Sequence, residues 1–112
     1  LRPVSYIQQH IDPDWQPLIP TPPFPEYPSG HSVASAAAAE ILTEVLGPLS
    51  FTDATHVGLG LPAFNYNSFT NAAEEAAMSR LFGGIHYPMG IENGLSQGQC
   101  VGRAVLERIQ AR

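Results

Sequence analysis

Between Asp12 and Pro28 the chain carries Pro13, Pro17 and the string Pro20-Thr21-Pro22-Pro23-Phe24-Pro25-Glu26-Tyr27-Pro28. Each proline fixes its own φ, removes one amide donor and biases the preceding residue away from helix. No helix can run through such a segment, so it is read as a loop. Its stiff polyproline tendency lets it hold a fixed path without regular pairing. Capture by another protein's proline-binding domain is the alternative reading of the same string. Eleven prolines and ten glycines in 112 residues require much non-helical backbone, so long loops should matter in this fold.

Helices are expected on either side. Leu1 to His10 reads as a helix end or short helix. From Val33 to Leu46 the chain is rich in alanine and leucine, Glu40 and Glu44 stand four apart, and Gly47-Pro48 supplies a stop. Ser29 or Ser32 is positioned to cap that helix. Residues 49–67 show no sustained period and are expected to be irregular. A further helix is predicted over Ala72 to Phe82, with Asn71 and Glu74 as a capping pair and Gly83-Gly84 as its end. The last stretch, Ile91 to Arg112, reads as one helix. Gly94, Gly98 and Gly102 lie four apart on it, each costing roughly 1 kcal/mol relative to alanine, a cost that makes sense where a neighbouring helix approaches closely. The fold class that follows is all-α, a helical bundle with long proline-rich and irregular loops, formed by residues 1–112 as one unit.

Composition excludes several classes of function. The net charge is −5 and the five basic residues are all arginine, with no run among them, so nucleic-acid binding is not expected. A few arginines converging in one pocket can still bind an anion, because the local field decides what occupies a cleft. Cys100 is the only cysteine, which excludes an internal disulfide and a multi-thiolate metal site. Glu40 and Glu44 interrupt the alanine-rich stretch, and no apolar run reaches the ~18–20 residues of a membrane span. No signal-peptide pattern opens the chain. A soluble protein is expected, its compartment open, secreted and periplasmic included.

Two motifs carry chemistry. Pro28-Ser29-Gly30-His31 opens the first strong helix, where unpaired amides and the helix dipole favour an anion. Gly30 lets the backbone approach a ligand, Ser29 adds a hydroxyl, and His31 titrates near neutral pH. Alone, a Ser-Gly pair before a helix is usually just a cap. The second motif is Ser79-Arg80, then Gly83-Gly84-Ile85-His86. In a continuous helix His86 would rotate away from the face of Arg80, and the glycines can end the helix so that His86 turns back toward it. The plainer alternative is that Arg80 pairs with Glu74, Glu75 or Glu107 and that His86 is only a turn residue. His10 and His56 have no matching ligand spacing and are read as surface or loop residues. Trp15, Phe24 and Tyr27 are read as packing residues, and Tyr87-Pro88-Met89 as a wall beside His86.

Together, in this order, Arg2-Pro3, Pro28-Ser29-Gly30-His31 and Ser79-Arg80 with His86 six residues on resemble the signature of the vanadium haloperoxidase and type 2 phosphatidic acid phosphatase superfamily, and the proline-flanked stretch before His31 looks closer to its haloperoxidase branch. The resemblance implies that Arg2 and Arg80 neutralise the oxygens of bound vanadate or phosphate, with Ser29 and the Gly30 amide donating further bonds. Such charge-assisted bonds are each worth roughly 1.5 to 3 kcal/mol. It implies His86 as the ligand of vanadium or the nucleophile on phosphorus, and His31 as the acid–base group, handling protons of peroxide or protonating a leaving alcohol. The substrates implied are hydrogen peroxide and halide, or a phosphate ester. Vanadate and phosphate can share one pocket because five-coordinate vanadate has the shape phosphorus reaches during transfer.

Two departures accompany the resemblance. The lysine that opens the family pattern would lie before residue 1, and family members are larger helical bundles. The chain is therefore expected to be an incomplete domain, with a partner chain, oligomer or missing helices covering its apolar faces. Many relatives also carry an aspartate four residues after the second histidine, where it orients the imidazole, whereas this chain has Gly90. A backbone carbonyl or another acid, such as Glu92, is the expected substitute. A degenerate oxyanion-binding module without turnover is the non-enzyme reading that these departures leave open.

Overall fold

The computed structural model describes residues 1–110, so the Arg112 end expected for the last helix lies outside the described residues. Four α-helices form the architecture: α1 (Pro3–His10), α2 (Gly30–Leu46), α3 (Phe69–Phe82) and α4 (Pro88–Gln110). The protein is all-α, with one small departure. Between α2 and α3 the strands β1 (Phe51–Asp53) and β2 (Phe64–Tyr66) pair antiparallel, Phe51 opposite Tyr66 and Asp53 opposite Phe64. That segment was expected to be irregular throughout. Three-residue strands are too short to show a period-two pattern, and the pairing is supported by aromatic contacts: the Phe51 ring packs against its cross-strand partner Tyr66 and stacks on Phe69 at the start of α3, both at 5.3 Å between centroids.

The helix boundaries are set by local capping chemistry. Ser29 caps α2, its hydroxyl oxygen accepting from the Ser32 amide at 3.4 Å, so the helix begins at Gly30 and not at Val33. Gly47, at φ +81°, ends it. For α3 the cap is Ser68, which accepts from the Asn71 amide at 3.0 Å, so Asn71 lies inside the first turn and is not the cap. Helix α4 starts at Pro88, three residues before the predicted start, with proline in the first-turn position that tolerates a missing donor.

α2 and α4 pack most intimately, and the glycines of α4 are the reason. A Cβ on Gly94 would sit 2.7 Å from the Ser32 Cβ, one on Gly98 would collide with the Val33 carbonyl oxygen, and one on Gly102 would sit 2.8 Å from the Glu40 Cβ. The stripe read from the sequence is thus a close-approach face. The buried apolar core is small: Ala36 and Ala39 of α2, Ala73 and Ala77 of α3, Ile85, and Ile91 of α4.

The proline-rich segment takes no regular structure, as expected, but it is not a free ligand. Its carbonyls at Phe24 and Pro25 accept from Arg2, the Leu18 amide donates to the Gly83 carbonyl at 3.1 Å, and the Trp15 indole lies against Gly84. The segment therefore wraps over the turn between α3 and α4 and braces it.

Candidate oxyanion site

Gly83 closes α3, and Gly84, at φ +76°, reverses the chain. The Arg80 carbonyl then accepts from the amides of both Ile85 and His86, at 3.2 and 3.3 Å, which returns His86 to the end of α3 that carries Arg80. The glycines do what the spacing called for. Gly84 is needed twice over, for its left-handed backbone and because a Cβ there would lie 3.0 Å from the Trp15 ring.

His86 is almost fully buried, and each ring nitrogen has one neighbour. Nε2 lies 3.0 Å from an Arg2 guanidinium nitrogen, and Nδ1 lies 3.0 Å from Glu26 Oε1. A guanidinium can only donate, so Nε2 must accept. The proton is then on Nδ1, donated to Glu26. The imidazole is held as the neutral tautomer with its lone pair on Nε2, the nitrogen available to an electrophile. Glu26 also accepts from the Tyr87 amide at 3.1 Å, while Arg2 donates to the carbonyls of Phe24, Pro25 and Ile85. One buried cation and one buried anion thus flank a neutral ring. Each is hydrogen-bonded to neutral groups, which offsets part of its desolvation cost. Burial draws the Arg2 pKa down, and the charge of Glu26 acts against that.

Glu26 was not singled out from the sequence, and Glu92, the acid expected to stand in at this position, is exposed on α4. The readable signal was faint: an acid held between Pro25 and Tyr27-Pro28, three residues before Ser29. A buried carboxylate is rare enough that a charged residue in a loop is ordinarily read as solvated. Gly90 completes the picture. A Cβ at that position would collide with Glu26 Oε1, and the Gly90 carbonyl accepts from the Ser29 amide at 2.9 Å.

The remaining predicted residues stand at the start of α2 and the end of α3. Ser29 is fully buried at the start of α2, and the amides of Gly30 and His31 belong to its first turn, which has no intrahelical acceptor. The His31 side chain is exposed. Its pKa is lowered by desolvation first, then by the positive charge of Arg80. Arg80 makes no ion pair with Glu74, Glu75 or Glu107 among the described residues, and its Nε is buried without a partner, as is Ser32 Oγ. An unpartnered buried guanidinium N–H is an unmet demand for an acceptor. Arg2 differs from expectation in its present contacts. Most of its donors hold backbone carbonyls, and the one aimed at the site meets His86.

The other readings divide. His10 closes α1 beside Tyr6, and His56 lies exposed in the excursion between the strands. Trp15 packs as expected. Phe24 is half exposed, with Arg2 over its ring at 5.0 Å, and Tyr27 is exposed and so does not serve as core packing. Tyr87 is half-buried beside His86, its phenol pKa raised by burial and then by Glu26.

Comparison with known proteins agrees with this fold. Residues 2–112 match the family model described as the VCPO second helical-bundle domain. No curated protein matches. Among solved structures, the chain is 54% identical to one described as the first bacterial vanadium-dependent iodoperoxidase, with a TM-score of 0.89 over 95% of this chain and 26% of that one. Holo and apo forms of a bacterial vanadium-dependent chloroperoxidase are each 19% identical, with TM-scores of 0.80 and 0.79 over 98% of this chain, a likeness of fold. The chain thus spans between 26% and 31% of the solved chains it matches.

Proposed function

Since this chain belongs to the vanadium haloperoxidase superfamily, as a second helical-bundle domain, we propose that it carries the oxyanion end of an active site that oxidises halide with hydrogen peroxide, with vanadate held at His86. The observation that carries this reading is the state of His86: a buried neutral imidazole whose Nε2 lone pair faces Arg2. The donors around it suit an oxyanion. Arg80 Nε has no partner among the described residues, the Gly30 and His31 amides open α2, and the Ser29 hydroxyl keeps a proton to donate while its oxygen caps the helix. Bound vanadate would supply the Lewis-acidic centre that activates peroxide toward halide.

The protein's own groups then have separate tasks. His86 Nε2 is the ligand nitrogen, made basic at that position by the Nδ1–H bond to Glu26. Arg2 can donate to an anion's oxygen in place of Nε2 without leaving its carbonyl partners. Arg80 and the first turn of α2 neutralise negative charge. His31 is exposed and has a depressed pKa, so near neutral pH it is unprotonated and able to take a proton from incoming peroxide.

The test is made on the full-length protein, with and without orthovanadate, supplied with peroxide and either iodide or bromide, following halogenation of a dye. Vanadate-dependent halogenation that is abolished in His86→Ala is the expected result. Hydrolysis of a phosphate ester, inhibited by vanadate and lost in the same variant, would replace this reading with a phosphohistidine mechanism. Silence in both assays with retained vanadate binding would leave an oxyanion-binding module.

A further inference from the structure

We propose that Glu26 is the positioning residue of this site and that Glu26 and Gly90 form a matched pair, so that the acid serving His86 comes from the proline-rich segment because α4 leaves space for it. Three observations converge. Glu26 Oε1 bridges His86 Nδ1 and the Tyr87 amide, at 3.0 and 3.1 Å, and therefore fixes the ring and the chain that carries it. The glutamate and the histidine are 8% and 2% exposed, so both are largely shielded from solvent. The space Glu26 occupies is the space a Gly90 side chain would need: a Cβ there would meet Oε1 in hard collision and stand 3.0 Å from Cδ and 3.1 Å from Oε2.

The pair is reciprocal. With Glu26 in place, any side chain at residue 90 expels it. With Glu26 removed, a carboxylate grown from residue 90 enters the vacated volume on the side of the ring that carries Nδ1. The same substitution is therefore harmful in one background and restorative in the other. Arg2 extends the coupling. It holds the Phe24 and Pro25 carbonyls directly before Glu26, so the guanidinium at Nε2 and the carboxylate at Nδ1 are delivered by one braced stretch of chain. Glu26 acts through His86 and touches no substrate.

The inference rests on His86 being the oxyanion ligand, and the test separates the two. In the full-length protein without added oxyanion, nitrogen NMR of the His86 ring reads the tautomer directly, while calorimetric titration with orthovanadate and with inorganic phosphate reads binding. The parent should show the Nδ1–H form. Glu26→Ala should populate the Nε2–H form and weaken vanadate binding by about 10- to 100-fold, the usual loss when a partner behind a ligating histidine is removed. Gly90→Asp should weaken binding when Glu26 is present and recover at least part of it in the Glu26→Ala background. An unchanged tautomer and affinity in Glu26→Ala overturns the positioning role, and a Gly90→Asp effect of the same sign in both backgrounds overturns the pairing. Should Glu26→Ala fail to fold, Glu26→Gln carries the test. Its amide oxygen keeps the bond to Nδ1 but loses the charge, so the tautomer should persist while binding weakens, and unchanged binding overturns the role. If the parent binds neither anion, the proposed function fails while the tautomer still reports on Glu26.

Discussion

His31 shows how one side chain reports the charge around it. Desolvation and then the charge of Arg80 disfavour its imidazolium, so its folded pKa lies below the ordinary 6.5. The folded state then binds fewer protons than the unfolded state as pH falls through 6.5, so the contribution of His31 to stability is fully present above that pH and declines below it, levelling off under the folded pKa. A proton NMR titration of the His31 ring should give a midpoint below 6.5, and Arg80→Ala should move it upward. A midpoint unmoved by that substitution would mean that Arg80 does not face the site. Residue-scale chemistry was partly legible in advance. Ser29, His31, Arg80 and His86 stand in two short motifs, and what each can donate or accept follows from its side chain. Glu26 was not legible, because nothing within a few residues of it says that it is buried, 60 positions from its partner.

At the scale of elements, the bundle depends on the approach of α4 to α2. Gly98 is the tightest point, where an added methyl would strike the Val33 carbonyl, a backbone atom that cannot rotate aside. Gly98→Ala should therefore destabilise the fold by about 1–3 kcal/mol, as overpacking does, despite the ~1 kcal/mol that alanine gains in helix propensity. Gly58→Ala has open space around it and should stay within about 0.5 kcal/mol of the parent. Urea unfolding of the two variants checks the contrast, and equal midpoints would refute the close-approach role. Helices and their stops were readable from propensity and glycine placement, whereas starts were displaced by three residues in α2, α3 and α4. The cap of α2 uses a serine hydroxyl that is one of two candidates by sequence, and only the bond from the Ser32 amide chooses between them.

At the scale of the molecule, shape and surface point the same way. The radius of gyration is 16.3 Å, against about 13 Å for a self-contained domain of 100 residues, and the extents are 53 × 35 × 19 Å. Large apolar side chains stand exposed along α2 (Leu42, Val45, Leu46), at the end of α3 (Phe82) and along α4 (Val101, Val105, Ile109). Such surface needs cover. Residues 1–112 expressed alone should bind a hydrophobic dye and self-associate in sedimentation, and a dye-silent monomer with a sharp thermal transition would show that these faces need none. Among the described residues no helix is long and apolar enough to cross a membrane.

The sequence by itself determined the helical class, the stops at Gly47 and Gly83, the close-approach stripe on α4 and the two motifs that meet at the site. These are encoded within a turn or two of chain, where propensity, capping and side-chain spacing act. The tertiary structure decided which acid serves His86, which tautomer the ring adopts and where Arg2 points. Each of those depends on groups 60 to 84 residues apart, brought together when the proline-rich segment folds over the α3–α4 turn. Contacts at that separation follow from shape: a glycine that reads as a lost aspartate in the chain is, in three dimensions, the room into which Glu26 fits.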